Sequence, residues 1–147
     1  MAPNSRVMIV EARFYDELAD ELVAGAEAVL AEANAEVRRV TVPGAFEIPG
    51  AIAMAETISS VHYDGYVALG CVIRGETTHY DYVCGESARA LQDMAVRDRV
   101  AIGYGILTVE NQEQAWARAD RKRGDKGGDA ARACLSMIDL AREFGRS

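Results

Sequence analysis

Two short and almost uninterrupted apolar runs constrain the fold of this chain more than any other feature. They are GYVALGCV at 65–72 and VAIGYGIL at 100–107. Such runs are typical of central strands that helices cover on both faces of a sheet. Shorter apolar runs, RVMIV at 6–10 and VRRVTV at 37–42, predict two more strands. The sequence therefore predicts a sheet of four strands.

Helical periodicity separates these runs. Small or apolar residues recur one helical turn apart in three segments: Leu18, Leu22, Ala26, Val29 and Ala33; Val83, Ser87, Leu91 and Met94; and Ala131, Cys134, Leu135 and Ile138. Alternating strands and helices predict an α/β fold around a mostly parallel sheet, flanked by helices. A chain of 147 residues suffices for one compact core, so a single domain over 1–147 is expected.

Charge and hydropathy exclude several classes of protein. The chain has 16 basic and 23 acidic residues, a net charge of −7, which argues against a basic face for nucleic acid. Its apolar runs fall short of the roughly 18 to 20 residues that cross a bilayer. The first residues, 1–14, have too short an apolar segment and too early a charge for a secretory signal. We expect a cytoplasmic protein that binds neither nucleic acid nor membrane, and that binds any anion locally.

The cysteines do not suggest a metal site. Cys71, Cys84 and Cys134 are 13 and 50 residues apart, without a CxxC pair and with only two histidines in the chain. This spacing predicts buried free thiols in a reducing compartment and no structural metal.

Residues 73–81, IRGETTHYD, follow a predicted central strand and open a predicted helix. Thr78 and Asp81 have the spacing of a capping box, which predicts that the helix begins there. Free N–H groups and the helix dipole at the carboxyl end of a strand favour an anion. Gly75 would let a phosphate oxygen approach the backbone, and Thr77 and Thr78 would add hydroxyl donors. The segment is predicted to be a phosphate seat.

A cation must complete such a seat, because an exposed helix terminus contributes only about 0.3 to 1 kcal/mol. Arg74, Arg118 and Lys126 are the candidates, and sequence distance does not say which of them converges on the anion. The alternative for Arg74 is a solvated loop residue. The chain contains neither GxxxxGK[ST] nor GxGxxG, which disfavours nucleotide triphosphate chemistry.

His79 lies one residue inside the predicted helix, beside the proposed anion. An imidazole with an ordinary pKa of about 6.5 suits proton transfer near neutrality. The alternative is a structural histidine. His62, in a connection before the third strand, is predicted to be an exposed loop residue.

A second unusual segment, VPGAFEIPGAI at 42–52, ends a strand with Pro-Gly before a helix. It brings Phe46 and Glu47 to the carboxyl edge of the sheet. There the flat aromatic ring of Phe46 would lie beside the carboxylate of Glu47, which accepts hydrogen bonds. Phe14, after the first strand, falls at the same edge. The alternatives are an ordinary turn for the segment and a core aromatic for Phe14.

Two features predict where the last two helices are separated and where the first of them begins. Asn111 and Gln114 have the spacing of a helix cap. The polar stretch at 119–129, ADRKRGDKGGD, is predicted to be an exposed connection between the last two helices.

Several motifs in order resemble the lumazine synthase family over nearly the full chain. They are IVEARF at 9–14, VPGAFEIP at 42–49, LGCVIRGETTHYDYV at 69–83, GILTVENQEQAWAR at 105–118 and DKGGDAA at 125–131. The resemblance implies a flavodoxin-like three-layer αβα sandwich. It also implies condensation of 5-amino-6-ribitylaminouracil with 3,4-dihydroxy-2-butanone 4-phosphate, with release of phosphate and water. No metal or organic cofactor is implied.

The resemblance also assigns residues to roles. For the uracil substrate, Phe14 would stack on the pyrimidine, Ala45, Phe46 and Glu47 would hold the ring and ribityl hydroxyls, and the backbone at Val72 and Ile73 would meet the uracil edge. Gly75, Glu76 and Thr77 would line the phosphate, and His79 would transfer protons. Tyr104, Arg118 and Lys126 would come from the adjacent chain of a homopentamer, with Arg118 pairing the phosphate.

Two positions depart from the family pattern. Glu76 puts a carboxylate near the phosphate, which weakens binding unless the side chain points away. Tyr104 replaces a common phenylalanine and adds a hydroxyl. The connection KRGDKGG, at 122–128, is short. In the family, such a connection permits pentamers to assemble into a larger shell but does not require it.

Two other functions compete. A non-catalytic protein on the same scaffold would bind a flavin or lumazine, but the presence of Arg118, Lys126 and His79 argues against it. A flavodoxin-like FMN carrier would need a phosphate loop after the first strand. EARFYDE, at 11–17, lacks the usual hydroxyls and glycine of such a loop.

Overall fold

A computed structural model describes residues 5–145 of the chain. Residues 1–4, part of the segment assessed above for a secretory signal, lie outside the described residues. The elements in chain order are β1 (Arg6–Ala12), α1 (Asp16–Glu32), β2 (Glu36–Val42), a single 3-10 turn (Ala45–Glu47), α2 (Ile48–Thr57), β3 (Gly65–Ile73), α3 (His79–Arg97), β4 (Ile102–Val109), α4 (Gln112–Ala119) and α5 (Lys126–Gly145). No helix among the described residues is long and apolar enough to cross a membrane.

The four strands form one sheet in the order β2-β1-β3-β4, and every pair is parallel. β1 therefore has β2 on one side and β3 on the other, so the chain changes direction across the sheet between β1 and β3. Open α/β sheets bind ligands at such a switch point, outside the carboxyl ends of the strands. The predicted four-stranded parallel sheet is confirmed.

Helices cover both faces of this sheet, as the continuous apolar runs predict. On one face α1, α4 and α5 pack on side chains such as Val7, Ile9 and Val67. On the other face α2 and α3 pack on Met8, Val10 and other side chains of opposite parity. Successive strand residues point to opposite faces, so both layers draw on the same strands. The three-layer α/β arrangement is confirmed.

The start of α3 is confirmed, but its predicted capping box is wrong. The helix begins at His79, and Thr78 makes no side-chain cap hydrogen bond. Thr78 has helical backbone angles (φ −75°, ψ 0°), whereas a capping side chain needs an extended backbone to turn back on the helix. Instead the hydroxyl of Thr77 accepts from the backbone N–H of His79 at 3.3 Å.

The weaker cap before α4 is confirmed. Asn111 is extended (φ −155°, ψ 172°), and its side chain accepts from the backbone N–H of Gln114 at 2.9 Å. The Gln114 amide returns a contact, accepting from the backbone N–H of Glu110 at 2.8 Å. The two backbone donors are thus paired, as in a capping box shifted by one residue.

The predicted exposed connection at 119–129 is wrong over its second half. α5 begins at Lys126, and Gly127 and Gly128 are buried in its first turn. The backbones of α1 and α5 approach so closely there that a Cβ at Gly127 would lie 2.0 Å from the carbonyl oxygen of Leu22. Glycine is required here because no side-chain carbon fits between the two helices. The polar residues around it in the sequence led to the wrong prediction of an exposed connection.

We expect Gly127→Ala to lower the free energy of unfolding by about 2 kcal/mol, because overpacking forces the two helices apart. Gly50→Ala is the matched control. Gly50 is helical like Gly127, but it is exposed, and a Cβ added to it would have no atom of another part of the chain within 4 Å. Urea unfolding followed by circular dichroism measures both. Equal unfolding midpoints for the two variants would contradict this account of Gly127.

Candidate functional site

A cavity of about 510 Å³ opens at the carboxyl edge of the sheet, at the switch point between β1 and β3. Its walls come from the segments that follow β1 and β2, from the end of β3, and from the start of α3. The parallel sheet brings these four segments together because all of its strands end on the same side.

The cavity gathers most of the residues that the sequence singled out. Those that line it are Phe14, Ala45, Phe46, Glu47, Val72, Ile73, Gly75, Thr77 and His79. Their roles toward a substrate stay predictions, but the geometry places aromatic rings, a carboxylate, an imidazole and a polar loop around one space.

Four predicted residues do not line the cavity of their own chain. Glu76 is exposed between two lining residues. Tyr104 lies on β4, facing a groove of about 370 Å³ against α3. Arg118, on α4, is exposed and donates to the carbonyl of Gln114 at 3.0 Å. Lys126 begins α5, with its Nζ 3.9 Å from Asp129.

The positions of Arg118 and Lys126 follow from the layers of the fold. α4 and α5 pack on the face of the sheet that α1 also covers, whereas α3 packs on the other face. The two cations are therefore on helices of the face opposite to α3, and neither of them lines the cavity. Within one chain they do not meet the proposed phosphate seat.

Both phenylalanines of the cavity are exposed. The exposed fraction of Phe14 is 74% and that of Phe46 is 56%. The ring of Phe14 contacts Tyr15 edge-on, with centroids 5.0 Å apart. The alternative that Phe14 is a core aromatic is therefore wrong. Exposed rings on a concave surface are suited to stack on a planar ligand.

The loop before α3 presents unpaired donors. Among the described residues, no hydrogen bond engages the backbone N–H of Gly75, Glu76 or Thr77. The last backbone hydrogen bond between this segment and β4 lies one residue before Gly75, where the N–H of Arg74 donates to the carbonyl of Val109 at 2.9 Å. Free donors at the start of a 19-residue helix, with the exposed imidazole of His79 beside them, suit an anion.

Arg74 does not serve this loop, although it is adjacent in sequence. Its guanidinium lies 2.9 Å from Glu110 and 3.6 Å from Asp81, and it stacks over the ring of Tyr80 at 4.3 Å. The hydrogen bond to Glu110, more than any other contact, raises the pKa of Arg74. None of the described residues that line the cavity is an arginine or a lysine.

Six lining residues were missed by sequence reasoning: Tyr15, Pro43, Gly44, Cys71, Tyr80 and Val83. Val83 is one helical turn after His79, so helical spacing could have found it. Cys71 was predicted to be a buried thiol, but it is only half-buried, as is Cys84, while Cys134 is buried. His62 is exposed, as predicted. No group of described residues could hold a metal ion.

The thiol of Cys71 is expected to react slowly although it reaches the cavity. Burial, and to a lesser degree Cys84, raises its pKa to about 11. Near neutral pH this leaves so little thiolate that iodoacetamide should label Cys71 roughly 30-fold more slowly than a free cysteine, even after the greater nucleophilicity of a more basic thiolate is included. Mass spectrometry of the Cys71 peptide measures the rate, which should rise with pH toward about 11. Labelling as fast as free cysteine would contradict the raised pKa.

Comparison with known proteins identifies close relatives. A family model described as 6,7-dimethyl-8-ribityllumazine synthase matches residues 4–142. A protein of that name from Bartonella henselae is 59% identical over 95% of this chain and 90% of its own length. 6,7-Dimethyl-8-ribityllumazine synthase 1 of Rhizobium meliloti is 60% identical over 95% of this chain and 93% of its own length. The 6,7-dimethyl-8-ribityllumazine synthase of Novosphingobium aromaticivorans is 60% identical over 95% of this chain and 99% of its own length.

Proposed function

The chain belongs to the 6,7-dimethyl-8-ribityllumazine synthase family, and we propose that it is an active synthase of this kind. It condenses 5-amino-6-(D-ribitylamino)uracil with 3,4-dihydroxy-2-butanone 4-phosphate to give 6,7-dimethyl-8-ribityllumazine, and phosphate and water are released. This is the penultimate step of riboflavin biosynthesis. The observation that carries the proposal is the match over almost the whole chain to relatives that bear this name.

The uracil substrate occupies the wall formed by the segments after β1 and β2 and by the end of β3. Phe14 stacks on the heterocycle, and the segment from Ala45 to Glu47 holds the ring and the ribityl hydroxyls. The backbone at Val72 and Ile73 meets the polar edge of the uracil. Support comes from the exposed rings of Phe14 and Phe46 on one cavity.

The phosphate of the second substrate occupies the loop from Gly75 to Thr77. Its unpaired N–H groups and the start of α3 supply donors. The side chain of Glu76 is exposed and does not line the cavity, so the residue contributes its N–H without placing a carboxylate on the anion. Like-charge repulsion is thereby reduced.

The missing cation comes from an adjacent chain. We place Arg118 of a neighbour on the phosphate, where a guanidinium binds as a bidentate fork, with Lys126 and Tyr104 of the same neighbour beside it. The absence of any arginine or lysine among the described lining residues supports this arrangement. So do the exposed aromatic rings of the cavity, since large exposed apolar surfaces mark sites of association.

A homopentamer with sites between neighbouring chains is the assembly we propose, and pentamers that join into a larger shell are compatible with it. The groove beside Tyr104 lies along β4, which is an edge strand and offers a surface to a neighbour. We also propose a cytoplasmic location, in keeping with three unbridged thiols among the described residues.

The chemistry needs positioning more than strong acid–base groups. A primary amine and a ketone condense readily, and holding two reactants together is worth effective molarities of about 10⁵ to 10⁸ M. His79 moves protons during loss of phosphate and water, from the position beside the phosphate loop that α3 gives it. Neither a metal nor an organic cofactor takes part in this scheme.

The activity is tested by mixing the purified protein with both substrates and following the fluorescent lumazine. We expect lumazine to form faster with the protein than from the two substrates alone. A non-catalytic flavin- or lumazine-binding protein would bind the product without accelerating its formation. A rate with folded, assembled protein no greater than that of the substrates alone would therefore contradict the proposed function.

A further inference from the structure

A buried carboxylate lies at the carboxyl end of β1, just before the segment that lines the cavity. Glu11 is inaccessible to solvent and has the same strand parity as the apolar Val7 and Ile9. A buried carboxylate is unfavourable unless its oxygens are paired. Both oxygens are paired here, because Oε1 accepts from Arg13 and Oε2 accepts from Nε of Arg39 at 2.7 Å.

Arg13 links this carboxylate to the first turns of α1. Its guanidinium donates to Oδ1 of Asp16 at 3.1 Å, to the carbonyl of Asp16 at 3.2 Å, and to the carboxylate of Asp20. The hydrogen bonds to Asp20 and then to Glu11 raise the pKa of Arg13. One side chain thus ties the end of β1 to the start of α1.

The residues between these two anchors are Phe14 and Tyr15, and both line the cavity. The ring of Phe14 is too exposed for the core to fix its direction. Tyr15 occupies the N-cap position of α1 without a side-chain cap hydrogen bond, so an ordinary anchor of the helix start is absent. The backbone that carries the ring therefore depends on Arg13.

We propose that Glu11 is a positioning residue for the uracil substrate, because it holds Arg13 in the place from which Arg13 fixes the backbone of Phe14. The inference rests on the proposed function, in which Phe14 stacks on the heterocycle. Its effect is confined to that half of the site. The phosphate loop at 75–77 connects β3 and α3, and among the described residues none of the hydrogen bonds or ion pairs of Glu11, Arg13 and Arg39 reaches it.

A purely structural role for Glu11 makes a different prediction. Its bond to Arg39 joins β1 to β2, so loss of the carboxylate would lower stability without changing either substrate's KM. The chain offers a matched control for that role. At the other end of the same two strands, Arg6 and Glu36 form an exposed ion pair at 2.9 Å.

The experiment compares Glu11→Gln with Glu36→Gln by steady-state kinetics on the assembled enzyme. Glu11→Gln should raise the KM for the aminouracil about tenfold, because a displaced ring makes a weaker stacking contact with the bound heterocycle. The KM for the butanone phosphate and kcat should be unchanged. Glu36→Gln should change none of the three. An equal rise in both KM values for Glu11→Gln, or no rise in either, would overturn the proposal.

Arg13→Gln covers the case in which Glu11→Gln does not fold, since it leaves Glu11 paired with Arg39 and should show the same selective rise. Calorimetric titration of wild type and variant with the aminouracil alone separates this inference from the proposed function. If the wild-type protein forms no lumazine, the proposed function is wrong. Tenfold weaker binding of the aminouracil by Glu11→Gln or Arg13→Gln would still support the positioning role. Equal affinities of wild type and variant would overturn that role whatever the catalytic result.

Discussion

Arg118→Ala is expected to raise the KM for the butanone phosphate about 100-fold, because a phosphate would lose its only guanidinium partner, and with it a bidentate, charge-assisted pair of hydrogen bonds. The cavity supports so large an effect, since no described lining residue carries a positive side chain and Arg74 is engaged by Glu110 and Asp81. The KM for the aminouracil should change little, because we propose that this substrate binds against Phe14 and the segment after β2.

Steady-state kinetics with each substrate varied in turn measures this split. Arg123→Ala is the control for the change in net charge, since Arg123 is exposed and pairs with Asp120 at 3.1 Å. That variant should retain both KM values. An unchanged KM for the butanone phosphate in Arg118→Ala would refute the assignment of Arg118 to the phosphate.

His79→Ala is expected to lower kcat about 10- to 100-fold, which is less than the 10²- to 10⁴-fold contribution typical of general acid–base groups. The reason is that orientation of the two substrates supplies most of the acceleration, and water in an open cavity can replace part of the proton transfer. Neither KM should rise in parallel, because the backbone of the phosphate loop is intact in the variant.

The control is His62→Ala, which removes the other histidine from an exposed loop where it lies 3.4 Å from Asp64. That variant should keep wild-type kcat. Complete loss of activity in a folded and assembled His79→Ala protein would contradict this division between positioning and proton transfer.

The strands and their parallel order were predictable because they depend on local composition. Runs such as 65–72 and 100–107 are apolar almost throughout, and such runs are typical of strands covered on both faces. The start of α5 was not predictable in this way. Gly127 is buried because it packs against the backbone of α1, about a hundred positions earlier, whereas the charged residues Asp125, Lys126 and Asp129 nearby in sequence suggest an exposed loop.

Much of the cavity wall was predictable for a similar reason, since residues that follow parallel strands meet at one edge of the sheet. The choice among Arg74, Arg118 and Lys126 was not, because spacing does not show that Arg74 is neutralised by ion pairs. Glu11 was missed because a charged residue within a strand ordinarily suggests an exposed position, and only the folded chain shows its two arginine partners.

The central claim is that each site combines His79 and the phosphate loop of one chain with Arg118 of its neighbour. Co-expression of His79→Ala and Arg118→Ala chains tests it most directly, with turnover measured on the mixed assemblies at a low concentration of butanone phosphate. In a randomly mixed ring about a quarter of the sites would contain both native residues, so activity should clearly exceed that of either variant alone. If Arg118 acted within its own chain, no site would be complete, and activity would not exceed the mean of the two variants.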